Sequence, residues 1–202
     1  GNDLANVMVY LGDYVDRGPG SFDVVDLLLG APLEGFEAVH LKGNHEDFLL
    51  RFWEDGSLGE AWLMNGGLET LRSYGVEFLD LGFAGNVLAE VRRRLRQALP
   101  PGHLDFFQDL ASWHVEGDYL FVHAGLRPGV PLDQQKDQDL FWIRHEFLNS
   151  GADFGKVVVH GHTISPEVDM APNRIGIDTG AYYSGRLTCL VLEGSTRRFI
   201  HT

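Results

Sequence analysis

Apolar runs of strand length alternate along this chain with stretches of helical period, and the strand-length runs end beside glycine. Val7-Met8-Val9-Tyr10-Leu11 passes straight into Gly12-Asp13, the pattern of a strand buried on both faces. Ser21 is placed as the N-cap of an amphipathic helix over 22–29, which Gly30 and Pro32 stop. A second strand at 37–41 delivers Gly43-Asn44-His45, and a helix from about Glu46 to Trp53 follows. Strand, loop, helix, strand, loop, helix predicts an α/β fold with right-handed crossovers.

From about 58 to 110 the period is mainly helical, punctuated by Gly66-Gly67, Gly75 and Pro100-Pro101. This stretch reads as a helical insert beside the sheet. From Trp113 the pattern turns to strands. Residues 114–116 and 119–122 predict a hairpin about Gly117-Asp118, and further strands are expected at 157–159, 175–177, 187–192 and 198–201. With no internal repeat, low-complexity tract or long linker, the whole of 1–202 is expected to be one domain.

Composition narrows the function. Hydrophobic residues make up 44% of the 202 positions and charged ones 22%, which suits a globular chain with a sizeable core. No apolar run reaches the length of a membrane span, and no signal-peptide pattern opens the sequence. The formal net charge of −13 argues against nucleic acid as a partner, since a phosphate-backbone binder needs a basic surface. The basic cluster Arg92-Arg93-Arg94 with Arg96 falls in a helical stretch over 85–99 and reads as a solvated helix face. Cys189 is the one cysteine; it forms no intramolecular disulfide, reads as a small buried hydrophobe, and fits a reducing, cytoplasmic compartment.

The candidate chemistry lies at the strand ends, where α/β folds present functional side chains on a rigid base. Asp13 follows the first strand and a glycine that frees the backbone to turn. Asn44 follows Gly43, His123 ends the 119–122 strand, and His162 follows the 157–159 strand and Gly161. Singly, each has an ordinary explanation as a turn former or a structural histidine. Together, a carboxylate, an amide oxygen and two imidazoles form a donor set suited to Mn²⁺, Fe or Zn²⁺ better than to Ca²⁺.

The runs Gly12-Asp13-Tyr14-Val15-Asp16-Arg17-Gly18, Gly43-Asn44-His45-Glu46, His123-Ala124-Gly125-Leu126-Arg127-Pro128, His160-Gly161-His162-Thr163 and Asp178-Thr179-Gly180-Ala181 resemble the phosphoprotein phosphatases. These belong to the calcineurin-like metallophosphoesterases, and the likeness is greatest to their bacterial Ser/Thr phosphatase branch. Phe141 to Arg144 and Ser184 to Thr188 extend it. The resemblance implies a four-layer α/β/β/α sandwich with two metals about 3.5–4 Å apart, Mn²⁺ being the expected ion. It implies Asp13 as the bridging ligand, with Asn44, His123 and His162 completing one metal's shell, and leaves His160 as an outer-sphere or core residue. It implies His45 as the general acid, held by Asp16, and Arg17 and Arg144 as phosphate clamps. Asp178 is read as a turn residue; Tyr183 is either cleft-lining or packing.

The family opens with a further motif, Gly-Asp-x-His-Gly, at the end of its first strand, which is absent here. The resemblance therefore implies one complete metal ligand set, with the first strand and helix missing from this chain. A cleaved or unseen N-terminus, a true truncation with weak activity, and a rearranged first site are the competing explanations. If this is the entire polypeptide, self-association or domain exchange through the bared sheet edge is expected.

The expected activity is metal-dependent hydrolysis of phosphomonoesters, on phosphoserine or phosphothreonine in proteins. A metal-bound water would attack in line while His45 protonates the leaving oxygen. The alternatives are a symmetrical dinucleoside polyphosphate hydrolase, towards which Gly18-Pro19-Gly20-Ser21 leans, and a phosphate-binding remnant with little turnover. The partner is accordingly a phosphorylated protein or a small phosphoester, with neither nucleic acid nor a membrane.

Overall fold

The computed structural model describes residues 6–31, 33–77 and 86–202. The chain divides into two compact units, Gly1–Leu110 and Ala111–Thr202.

In the first unit, strand β1 (Asn6–Tyr10) pairs in parallel with β2 (Phe36–His40), from Asn6 opposite Phe36 to Tyr10 opposite His40. Helix α1 (Ser21–Gly30) connects them, the β-α-β order expected. Its N-cap is Gly20 rather than Ser21. The Ser21 hydroxyl is turned inward, where it meets the Asp16 amide and the Thr70 hydroxyl, so it is not available to the helix end. The Pro32 stop lies outside the described residues. Helix α2 spans Asn44–Glu54, beginning ahead of the expected Glu46. It starts there because Glu46 reaches back to accept the Gly43 N–H at 2.9 Å, the carboxylate half of a capping box.

Short helical turns follow. They are α3 (Gly59–Trp62), a π-turn over Leu63–Gly67, and α4 (Leu68–Ser73), then α5 (Val87–Ala98) and α6 (Pro101–Gln108). The expected helical start at Gly85 lies outside the described residues; Asn86 caps α5 by accepting from the Ala89 N–H. The arginine cluster is not simply solvated. Arg92 and Arg96 donate to the Trp53 carbonyl at 3.0 and 2.6 Å, satisfying a backbone acceptor at the C-terminal end of α2. Arg93 and Arg94 pair with Glu90 on their own helix. Val25, Leu49, Phe52, Trp62, Leu95 and Phe107 are fully buried at the centre of this unit.

In the second unit, β3 (Trp113–Glu116) and β4 (Tyr119–Val122) form the expected hairpin. They continue into a sheet with β5 (Val157–His160), β6 (Asp169–Ala171) and β7 (Arg174–Gly176), in the order β3-β4-β5-β7-β6. The β4-β5 and β5-β7 pairs are parallel, so the α/β character expected from the sequence is present here too. The short β6 has no apolar run to announce it; antiparallel pairing with β7 makes it a strand. Helices α7 (Asp137–Trp142) and α8 (His145–Leu148) lie between β4 and β5. The short α9 (Ala181–Ser184) precedes the hairpin of β8 (Thr188–Glu193) and β9 (Thr196–His201). Cys189 on β8 is half-buried. The core gathers Leu120, Val122, Leu140, Phe141, Phe147 and Val158. No helix among the described residues is long and apolar enough to cross a membrane.

Phe147 is the central ring of that core, with Phe154 at 5.5 Å and His160 at 5.1 Å. Gly125 lies so close that a Cβ there would sit 2.3 Å from the ring. Phe147→Ala is expected to cost about 3–5 kcal/mol of stability, read as a lower urea midpoint at unchanged m value. A loss under about 1 kcal/mol would show that the core is not organised on this ring.

Candidate active site

The first unit brings two strand-end loops together through one buried acid. After β1 the backbone turns through positive φ at Gly12 (95°) and Asp13 (61°). The Glu46 side chain, fully buried, takes the Asp13 N–H at 2.9 Å and the Gly43 N–H at 2.9 Å on Oε2. Its Oε1 takes the Tyr14 N–H at 2.7 Å. Burial and the neighbouring Asp13 carboxylate push Glu46 up to about 7, against the pull of these amides. Gly43 has no room for a side chain, because a Cβ there would sit 2.2 Å from Asp13 Oδ1. Asp13 Oδ1 also accepts the His45 N–H at 3.3 Å. Asn44 is buried in the first turn of α2.

On the same helical turn, His45 Nδ1 lies 2.6 Å from Asp16 Oδ2, both residues buried. Burial alone would lower the His45 imidazole, but the Asp16 hydrogen bond and the charges of Asp13, Asp16 and Glu46 outweigh it and raise it. Burial raises Asp16, while donors from His45, Thr70 and Trp62 pull it back. With a donor on each side of it, the carboxylate remains the acceptor of the pair. Asp16 adopts φ 75° and Arg17 φ 64°. Arg17 is exposed, and its N–H donates to the Gly66 carbonyl of the π-turn at 3.2 Å.

In the second unit, His123 follows β4, and His162 sits at φ 62° in the loop after β5. Both are buried. Their loops are tied by the Gly161 N–H to the His123 carbonyl at 2.8 Å. His123 Nε2 and His162 Nδ1 stand 3.2 Å apart. Two nitrogens on one cation at bond lengths of about 2.1 Å would be about 3.0 Å apart in octahedral and about 3.4 Å apart in tetrahedral geometry. The imidazole pair therefore fits a shared transition-metal ion. His160 does not belong with them. It is buried against Phe147, its Nδ1 is 3.2 Å from the Gly161 carbonyl, and burial pushes its imidazole down to about 4. Arg144 is exposed beside the same loop, its Nη1 donating to Thr163 Oγ1 at 3.3 Å.

Asp178 closes a turn, its Oδ1 accepting the Gly180 N–H at 2.9 Å, and Tyr183 is exposed beside Tyr182. Sequence reasoning passed over three residues of this region. Glu46 carried a usable signal, since an acid three residues after the N-cap glycine has capping-box spacing. Trp62 and Thr70, which both reach the Asp16 carboxylate, carried none; each reads as helix filling.

The family model of the calcineurin-like phosphoesterases matches residues 2–189, and the chain belongs to that family, whose members use divalent metals. It is 29% identical over 195 residues to Serine/threonine-protein phosphatase 2 of Escherichia coli, covering 91% of this chain and 78% of that protein. It is also 29% identical over 200 residues to the asymmetrical Bis(5'-nucleosyl)-tetraphosphatase PrpE of Bacillus thuringiensis, covering 91% of this chain and 74% of that protein. A solved structure described as a "putative diadenosine tetraphosphatase" shares the fold at TM-score 0.62 and 23% identity, over 96% of this chain and 80% of that one.

Glu46→Gln tests the clamp. The amide has one acceptor oxygen, so one of the three backbone N–H groups must face its NH₂ group. A loss of about 1–3 kcal/mol is expected. Unchanged stability in thermal and urea unfolding would mean that the clamp carries no weight.

Proposed function

We propose that the protein is a metal-dependent phosphomonoester hydrolase acting on phosphoserine or phosphothreonine in proteins. The observation that carries this reading is the buried His45–Asp16 pair at 2.6 Å. An alkoxide is a poor leaving group, and a carboxylate-held imidazole is a competent donor to it. In this reading Asp13 and Asn44 from the first unit and His123 and His162 from the second hold one divalent cation, Mn²⁺ being our choice. The family match runs through both units, which supports taking 1–202 as one functional domain. A bound divalent cation would polarise the phosphoryl group and ease ionisation of a water.

The chain's own residues supply the rest. Arg17 and Arg144 bind the phosphoryl oxygens through their planar forks. Asp16 keeps the His45 Nδ1 proton in place, so that Nε2 faces the leaving oxygen. Cys189 takes no part, since no phosphoenzyme is involved.

Hydrolysis of dinucleoside polyphosphates is the second reading, favoured by the tetraphosphatase relatives. Side-by-side assay of a phosphoserine peptide and diadenosine tetraphosphate decides between the two. A higher kcat/KM on the peptide is expected, and preference for the dinucleotide would reverse the assignment.

Chelation should abolish turnover, and added Mn²⁺ should restore it. Asp13→Asn is expected to weaken metal binding. His45→Asn should keep the metal, measured by elemental analysis, yet slow an alkyl phosphate about 10²–10⁴-fold. Full turnover of that substrate by His45→Asn would rule out the donor role.

A further inference from the structure

We propose that Trp62 and Thr70 are positioning residues for proton donation, holding the Asp16 carboxylate so that His45 keeps one tautomer and one ring orientation. This rests on the reading of His45 as the proton donor. The indole N–H of Trp62 lies 3.0 Å from both Asp16 oxygens, and the Thr70 hydroxyl lies 2.6 Å from Oδ1. An indole can only donate, which fixes Asp16 as acceptor on that side.

The direction of the hydroxyls follows by counting protons. Thr70 Oγ1 receives the Asp16 backbone N–H at 2.8 Å, so its own single proton goes to Asp16 Oδ1. Ser21 Oγ, 3.2 Å away, must then donate to Thr70 while it accepts from the same Asp16 N–H. The Trp62 indole and the Thr70 hydroxyl thus both donate to the carboxylate. Beside the indole, Oδ2 also meets His45 Nδ1 at 2.6 Å; with the carboxylate as acceptor, Nδ1 carries the hydrogen of that contact and leaves Nε2 for the leaving group.

The two positioning side chains are themselves fixed. Trp62 is fully buried, with Phe52 at 5.2 Å. Gly67 presses so close that a Cβ there would sit 2.7 Å from the indole. Thr70 is fully buried on α4. They stand 46 and 54 residues from Asp16 in sequence, so the helical stretch after α2 reaches the proton donor through these two side chains. Any buried carboxylate needs partners; the test must therefore separate positioning from burial.

The variants are Trp62→Phe, Thr70→Val and Thr70→Ser, in protein loaded with diamagnetic Zn²⁺ and carrying ¹⁵N-histidine. In the parent, His45 is expected to show one Nδ1–H tautomer with a far-downfield hydrogen-bonded proton. In Trp62→Phe and Thr70→Val that proton should move upfield or split between tautomers, and Thr70→Ser should restore it. An unchanged signal in both would overturn the proposal, whatever the activity.

Kinetics give an independent reading. kcat should fall about tenfold on an alkyl phosphate and less than about twofold on 4-nitrophenyl phosphate, whose leaving group needs no proton. Equal losses on the two substrates would mark a merely structural role and overturn the proposal. His45→Asn run alongside isolates the premise: if it also loses both substrates equally, the donor reading falls, while the tautomer measurement still judges Trp62 and Thr70.

Discussion

Glu46 sits fully buried in the first turn of α2 with its two oxygens spread over the N–H groups of Asp13, Tyr14 and Gly43. The loop after β1 and the loop after β2 each leave their strand with unpaired amides, and a buried amide without a partner costs about 1–3 kcal/mol. One carboxylate answers both loops at once. In doing so it sets the Asp13 side chain against Gly43, starts the helix that carries Asn44 and His45, and brings His45 round to Asp16. Asp13 and Asn44, the ligands proposed from this unit, and His45, the proposed proton donor, therefore share one scaffold element.

That scaffold supports backbone which would not hold itself. Asp13, Asp16 and Arg17 all adopt positive φ, a conformation that costs a residue with a side chain about 1–3 kcal/mol. Local bonds offset it in each case: the Glu46 clamp for Asp13, the Thr70 and Ser21 hydroxyls for Asp16, the Gly66 carbonyl for Arg17. The neighbouring glycines take part through their lack of bulk. At Gly66, which itself lies at φ 108°, a Cβ would sit 2.6 Å from the Arg17 nitrogen. Asp13 and Arg17 are thus each paired with a glycine, Gly43 and Gly66, where a single added carbon does not fit.

Much of this was legible in the sequence, for physical reasons. Continuous apolar runs allowed β1, β4 and β5 to be placed to within a residue or so, although β1 is exposed at Asn6 and only partly buried beyond it. The motifs at the ends of β1, β2, β4 and β5 drew attention to Asp13, Asp16, His45, His123 and His162, the residues on which the proposed site rests. Elements defined by a partner rather than by their own period were harder to see. The strand β6 exists through pairing with β7, and Ser21 was misplaced as a cap because its hydroxyl turns to the Asp16 amide and to Thr70, 49 residues on. Trp62 and Thr70 were invisible for the same reason. Arg92 and Arg96 looked like a charged surface, yet they end α2 by bonding its carbonyls, a role that depends on where another helix stops.

The Glu46 clamp also bears on when the site comes into being. The amides of Asp13 and Tyr14 lie 33 and 32 residues before the acid that holds them, a separation spanning most of the β1-α1-β2 crossover. Closing a loop of that length is entropically uphill until the parallel strands meet and reward it. The carboxylate cannot find its amides before β1 and β2 pair, and the two loops have no settled shape without it. Pairing of the strands and settling of the two loops are thus coupled in this unit, and a partly folded chain carries the motif residues in loops that the carboxylate does not yet hold.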